Sequence, residues 1–130
     1  MTLPDTADVL EGRWTGYVLR RLEELEAGED RELWEGRWPS LETIRAARNV
    51  AARTFPLSAP TPSVVPGEDG CVLFVWMKGG WTIEVEVDQH LQATFWTLQQ
   101  GQTGSNLSGS LEEHGELLGR ILGDLGDLRQ

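Results

Sequence analysis

The sequence predicts an α+β fold, in which helices pack on one face of an antiparallel sheet. Three observations support this: a helical pattern of apolar residues in the first 54 positions, alternating apolar runs around Gly79-Gly80, and a second helical pattern near the C-terminus. We expect a single domain, 1–130. Its parts are a helical part at 1–54, a proline-rich connector at 55–70, a sheet of three to four strands at 71–99 and a C-terminal helix at 110–128.

Two helices are predicted in the N-terminal part. Apolar residues recur at steps of three and four between positions 4 and 27, and Pro4 suits a first helical turn. Ser40 is expected to cap a second helix, from Leu41 to about Thr54. One face of this second helix is basic and carries Arg45, Arg48, Asn49 and Arg53. We interpret it as a solvated face, with an anion or acidic-partner site as the alternative.

A tight hairpin is the clearest feature of the predicted sheet. Four prolines between positions 55 and 67 exclude a helix there, so this stretch is expected to lead into the sheet, with a short edge strand at 63–65. Two consecutive glycines between β-rich runs then indicate a two-residue loop. Pairing outward from Gly79-Gly80 predicts one core face, formed by Val72, Phe74, Trp76, Ile83, Val85 and Val87.

The opposite face of the hairpin mixes apolar and acidic residues. Its members are Cys71, Leu73, Val75 and Met77 on the first strand, and Thr82, Glu84, Glu86 and Asp88 on the second. An antiparallel sheet needs only one buried face to be stable. The mixed face is therefore either partly covered by a helix of the chain or a binding surface.

The C-terminal part is predicted to contain a third strand at about 91–99, a polar loop at 99–109 and the last helix. Ser110 and Glu113 form a capping box at the start of that helix. Beside its apolar stripe lie four glycines: Gly115, Gly119, Gly123 and Gly126. Small residues at such spacing let another backbone approach closely. We expect packing on the sheet or on a second copy, and the second alternative predicts a homodimer through this helix.

The charge of the chain indicates which kinds of partner it could bind. The formal charge is −10, and residues 55–130 hold 3 basic and 10 acidic side chains. An acidic chain releases no counterions from nucleic-acid phosphates, so it gains no affinity from that source. We therefore expect no nucleic-acid partner and favour a basic protein as the partner. No stretch approaches the roughly 20 apolar residues of a membrane span. With one cysteine, Cys71, and no signal-peptide pattern, a cytoplasmic location is expected.

No residue set matches a catalytic or metal site, and no cofactor is predicted. His90 and His114 have no second histidine or cysteine at ligand spacing. Asp88 and His90 share a predicted turn, which suggests either a base with its orienting carboxylate or simply a polar turn. Five of the six tryptophans, all except Trp14, divide into two groups. Trp76 and Trp96 fall on strands and are predicted to be in the core. Trp34, Trp38 and Trp81 lie at element ends, where an indole either anchors an interface or packs in the core or at its rim.

The segment that opens the hairpin resembles a family of short uncharacterised bacterial proteins. Residues 60–76 read PTPSVVPGEDGCVLFVW, and Trp81 to Glu86 follow. In that family a Pro-x-x-Asp-Gly turn opens a similar hairpin, so the resemblance, which covers residues 60–88, implies a shared sheet. Cys71 stands where the family usually has a second glycine, and Val75 where an acidic residue is common. The resemblance implies no activity and no site residues.

The sequence as a whole predicts an acidic, non-enzymatic interaction protein, of the immunity- or antitoxin-like inhibitor kind. Its predicted partner-binding residues are Glu84, Glu86, Trp81, Trp38 and Trp34. The alternative is a small enzyme or ligand-binding protein with a pocket between sheet and helices, in which Asp88 and His90 would act.

Overall fold

The computed structural model describes residues 14–28, 31–100 and 107–127. In these ranges the chain forms three α-helices and one five-stranded sheet, which confirms the predicted α+β class. The elements in chain order are α1 (Thr15–Ala27), α2 (Leu41–Thr54), β1 (Ser63–Pro66), β2 (Val72–Lys78), β3 (Trp81–Val87), β4 (Ala93–Gln99), β5 (Ser108–Ser110) and α3 (Leu111–Gly126). A 3₁₀ turn at Arg31–Leu33 lies between α1 and α2.

The helix ends follow local capping chemistry. The hydroxyl of Ser40 accepts the Thr43 backbone N–H at 3.1 Å, and the hydroxyl of Ser110 accepts that of Glu113 at 3.3 Å. Each satisfies an N–H group that the first helical turn leaves without a partner. Gly28 ends α1 in the left-handed conformation, with φ 68°. The predicted start of the first helix, at 4–13, lies outside the described residues.

The five strands form an antiparallel meander in the order β1-β2-β3-β4-β5. The predicted hairpin register is confirmed, since Trp76 lies opposite Ile83 and Lys78 opposite Trp81. Gly79 and Gly80 have φ values of 59° and 83°. Positive φ at both central residues is the requirement of the turn that matches strand twist, and only glycine meets it without strain.

The prediction of three to four strands was wrong, because β5 lies in the stretch expected to be a loop. Strand β5 pairs with β4 from Thr94 to Trp96. A buried hydroxyl fixes its approach: the Leu107 N–H donates to the Thr97 hydroxyl at 3.1 Å, and the Thr97 N–H donates to the Leu107 carbonyl at 2.8 Å. Ser-Gly-Ser has no apolar alternation, so only backbone pairing defines this strand.

The hydrophobic core lies between the helices and one face of the sheet. All six residues of the predicted core face are buried, and they form one cluster with the apolar stripes of the helices. Those stripes are Val18, Leu22 and Leu25 of α1, Ile44, Ala47 and Ala51 of α2, and Leu118, Leu122 and Leu125 of α3. All three described helices therefore pack on the same face of the sheet.

An aromatic cluster around Phe55 joins the helices to the sheet. Phe55 follows the last residue of α2, and its ring makes edge-to-face contacts with three others. The centroid distances are 5.6 Å to Trp14, 5.0 Å to Phe74 and 4.9 Å to Trp76. Such contacts add about 0.5–1.5 kcal/mol per pair to the burial of the rings. Phe55 thus connects α1, α2 and β2 through one side chain.

Two buried indoles fix the proline-rich connector. The Trp14 Nε1–H donates to the Pro56 carbonyl at 2.8 Å, and the Trp76 Nε1–H donates to the Pro60 carbonyl at 2.7 Å. A buried indole N–H needs an acceptor, and a connector without regular structure needs donors for its carbonyls. The two tryptophans meet both needs and hold the connector against the core.

Three glycines of α3 pack against the end of α2 and the start of the connector. A Cβ at Gly119 would lie 3.3 Å from the Thr54 carbonyl oxygen, and one at Gly123 would lie 3.6 Å from the Ser58 hydroxyl. At Gly126 it would collide with the Ser58 carbonyl. Close backbone approach therefore occurs within the chain, to residues 54–58 rather than to the strands. The homodimer stays a prediction, and it no longer has these glycines as its support.

We expect Phe55→Ala to lower the free energy of unfolding by about 3–5 kcal/mol, because the cavity removes contacts with three aromatic rings at once. Urea unfolding followed by tryptophan fluorescence measures the loss. Leu57→Ala is the matched control, since Leu57 is exposed and truncation there should cost less than about 0.5 kcal/mol. Equal losses in the two variants would contradict the role of Phe55.

Two glycine-to-alanine substitutions in α3 should have opposite effects. Gly126→Ala is expected to destabilise the protein by more than about 1 kcal/mol, because the Ser58 backbone must move. Gly115→Ala should stabilise it by about 0.8–1.0 kcal/mol, because a Cβ there meets nothing within 4 Å and alanine is the better helix former. Thermal unfolding of both variants compares them, and shifts of the same sign would be inconsistent with the described packing.

Candidate functional site: the open face of the sheet

The second face of the sheet is turned away from the three described helices. We call it the open face. The strand registers assign to it Ser63, Val65, Leu73, Val75, Met77, Thr82, Glu84, Glu86, Thr94, Trp96 and Leu98. The core cluster contains none of these residues. Ser108 and Ser110 of β5 pair with Trp96 and Thr94 and continue this face, which thus extends across all five strands with no described helix against it.

The centre of the open face alternates carboxylates and apolar side chains. Glu84 lies between Val75 and Trp96 in cross-strand register. Met77 and Leu98 lie towards the Gly79-Gly80 end of the sheet, and their side chains are 78% and 42% exposed. Cross-strand neighbours on one face are about 5 Å apart at Cβ, so this part of the face is one continuous surface.

The prediction that Trp96 belongs to the core was wrong, since it is 39% exposed. The period-two alternation of β4 directs Phe95 and Thr97 to the helices, and both are buried. Trp96 therefore faces the other way, beside Glu84. The alternation of residues along β4 already indicated that Trp96 and Phe95 face opposite sides of the sheet. The register of β3 against β4 then shows which side is the core, because it pairs Trp96 with Glu84.

Negative charge accumulates at one end of the open face. Partial burial raises the pKa of the Glu86 carboxyl, and the charges of Asp88, Glu84 and Asp69 raise it further. Within the described ranges, no lysine or arginine forms an ion pair with Glu84 or Glu86. The carboxylates of this face are thus close to one another and lack a neutralising cation among the described residues.

Cys71 lies next to this acidic group and is buried. Burial raises the pKa of its thiol, and the charge of Glu86 acts in the same direction. A raised pKa reduces the thiolate fraction, which is the reactive form. Cys71 is only 6% exposed, as is usual for a cysteine that packs as a small hydrophobic residue.

The structure does not bring Trp81 to the open face. The strand alternation places it on the core face, where it packs against the core cluster. A small cavity of about 120 Å³ separates it from Ile121, Asp124 and Leu125 of α3. Trp81 therefore lies on the helix side of the sheet, facing α3 across this cavity, and not on the surface that carries Glu84 and Glu86.

Trp34 and Trp38 form a separate pair in the segment before α2. Their rings are edge-to-face at 6.2 Å. The Trp38 Nε1–H donates to the Leu25 carbonyl at 3.0 Å, at the end of α1, and the side chain packs on the core. The Trp34 Nε1–H is buried without a hydrogen-bond partner. Neither residue is on a strand, so the five predicted binding residues do not form one surface.

Asp88 and His90 lie in the turn between β3 and β4, where the Asp88 carboxylate accepts hydrogen bonds from the backbone. The Asp88 Oδ1 accepts the backbone N–H groups of His90 and Gln92, at 2.9 and 3.0 Å. This pattern closes the connection between β3 and β4. The His90 side chain is exposed. The carboxylate is thus occupied by backbone donors, as the polar-turn interpretation requires.

The described ranges contain neither a metal-ligand cluster nor a helix that could cross a membrane. No three His, Cys, Asp or Glu side chains come close enough together there to hold a metal ion. No helix in those ranges has both the length and the hydrophobicity of a bilayer span.

No protein-family model matches the chain, and no curated protein or solved structure is significantly similar to it. The resemblance of residues 60–88 to short bacterial proteins stays a prediction. The geometry of the described residues is therefore the guide to the function of the chain.

Glu86→Gln should stabilise the protein at neutral pH by up to about 0.5 kcal/mol. The pKa of Glu86 is raised in the folded state, so the ionised carboxylate disfavours folding above that pKa. The gain should shrink as the pH falls through the folded-state pKa and vanish below about pH 4.5, the ordinary value. Urea unfolding across this pH range measures it. Glu23→Gln, on an exposed position of α1, is the control, and an equal gain there would contradict the assignment.

Proposed function

We propose that this chain is a non-enzymatic protein-binding protein, and that its open face binds a partner with a basic and partly apolar surface. The observation that carries the proposal is the one-sidedness of the sheet. All three described helices pack on the core face. On the open face, Met77, Trp96 and Leu98 are exposed around the carboxylates of Glu84 and Glu86. Contiguous exposed apolar groups rimmed by polar ones are typical of interaction sites.

The composition and shape of the open face favour a protein over a small molecule. Methionine and aromatic residues are enriched in protein interfaces, and both occur here. Small-molecule sites are concave, whereas a sheet face with short side chains on its outer strands offers no enclosing walls. A partner with an extended surface of its own matches the open face better.

The edges of the sheet are less suited to binding than the face. At one edge, Arg21 of α1 donates through Nε and through its terminal nitrogen to the Val64 carbonyl, at 3.2 and 2.9 Å. This occupies an outward backbone acceptor of β1. At the other edge, β5 has three residues only. Capped and short edge strands resist the addition of another strand.

Charge complementarity supports a basic partner. The chain carries a formal charge of −10, and Glu84 and Glu86 have no ion-pair partner among the described residues. A lysine or arginine of a partner would relieve the repulsion that raises the pKa of Glu86, and it would steer the encounter of the two proteins. An immunity- or antitoxin-like inhibitor acts by covering a surface of its target, which is the role this arrangement supports.

The proposal is tested with a charge-reversed open face. Proteins that bind the wild-type chain are captured from the native cell, and the affinity of the purified partner is then measured for each variant. We expect Glu84→Lys with Glu86→Lys to weaken binding by at least about tenfold. Trp96→Ala should also weaken it, because the apolar part of the face contributes independently of charge.

The matched control is Glu23→Lys with Glu35→Lys, which changes the net charge equally at exposed positions outside the sheet. This control should bind within about twofold of wild type in physiological salt. The proposal fails if the open-face variant binds as tightly as wild type, or if the control loses as much affinity as the open-face variant.

A further inference from the structure

A cleft of about 790 Å³ lies on the helical side of the molecule. Three segments line it: the end of α2, the first half of α3 and the connection between β3 and β4. Its volume is within the range of about 300–1,000 Å³ that is typical of small-molecule sites. Ser110, at the β5 end of the sheet, lines it, but Glu84, Glu86, Met77, Trp96 and Leu98 do not, so the cleft lies apart from the proposed protein-binding residues.

Charged side chains of both signs line this cleft, and Glu113 lies 3.7 Å from the Nε2 atom of the neighbouring His114. Arg53 comes from α2, and Glu112, Glu113 and Glu116 come from α3. Arg53 forms no ion pair with any described residue. Glu112 and Glu113 are in the first turn of α3, where the helix dipole favours acidic groups, but Glu116 lies beyond that turn. The cleft thus presents a cation on one element and carboxylates on another, without contact between them.

The space between these charges is lined by apolar groups and by a bare backbone. Val50, Ala93 and Leu111 contribute the apolar lining, and Leu91 is exposed at the cleft in the left-handed conformation, with φ 65°. Gly115 has nothing within 4 Å of the position of its missing Cβ. Glycine is unfavourable in a helix, and no close contact accounts for this one. Its effect is to leave room in the cleft.

We infer that this cleft binds a short peptide that has free ends and a net positive charge. The carboxylate of the peptide pairs with Arg53, its ammonium groups pair with the glutamates of α3, and an apolar side chain lies over Leu111 and the bare backbone of Gly115. The excess of carboxylates over Arg53 disfavours phosphates and other simple anions. A zwitterion with an additional cation matches the signs of the lining charges and their negative excess.

The test is a titration of the isotope-labelled full chain with the tripeptide Lys-Leu-Ala, followed through backbone amide resonances. We expect saturable shifts at Gly115, Gly119 and Ala93, with a Kd of about 1 mM or lower. The same peptide with a C-terminal amide should bind at least about fivefold more weakly. Arg53→Gln should lower the affinity for the free-acid peptide to that for the amidated peptide. Arg45→Gln, on the same helix but outside the cleft, should leave the affinity for both peptides unchanged.

A second variant tests whether the open volume beside Gly115 is needed for binding. The Cβ of Gly115→Leu would meet nothing within 4 Å, and the larger side chain should fill part of the cleft and reduce affinity by at least about tenfold while the fold is retained. Should this variant fail to fold, the comparison of Arg53→Gln with the amidated peptide still decides the question. The inference is overturned by the absence of saturable shifts at these amides up to about 10 mM peptide, by equal binding of acid and amide, or by unchanged binding to a folded Gly115→Leu.

Discussion

The contact of Phe55 with three aromatic rings is the interaction on which the rest of the structure depends. It lies at the point where the chain leaves α2 and turns towards the sheet, and it holds Trp14 of the first helical segment against Phe74 and Trp76 of β2. The two indole N–H groups then fix the connector through its carbonyls. Because the connector is held on this side, α3 packs on it as well, and all three described helices share one face of the sheet.

The one-sided arrangement has a direct consequence for function. An antiparallel sheet is stable with a single buried face, so nothing in the energetics of the fold requires the second face to be polar throughout. On that face Glu84 and Glu86 lie among apolar side chains and near other carboxylates, a placement that raises the pKa of Glu86 and costs stability. Unfavourable placements of this kind are concentrated at functional sites. The open face thus combines exposed hydrophobicity with uncompensated charge, as a binding surface for a basic protein would.

Local patterns predicted most of the fold, because they depend on contacts between neighbours in sequence. Two glycines determine the hairpin and its register, and the hydroxyls of Ser40 and Ser110 determine two helix starts. The strand β5 was not predictable in this way, since its position depends on the buried hydroxyl of Thr97 and on backbone pairing. The candidate site was predicted in part: Glu84 and Glu86 follow from alternation, but the position of Trp96 beside Glu84 required the register of a third strand, and Trp81, Trp34 and Trp38 lie elsewhere.

The central claim is that one face of the sheet is core and the other is free to bind. Hydroxyl-radical footprinting of the isolated chain tests it most directly, because the rate of side-chain oxidation follows solvent contact. The account predicts rapid modification of Met77 and Trp96, with strong protection of Trp76, which precedes Met77 in the same strand but faces the helices. Protection of Met77 and Trp96 to the level of Trp76 would contradict the account, since it would mean that the open face is covered within the chain itself.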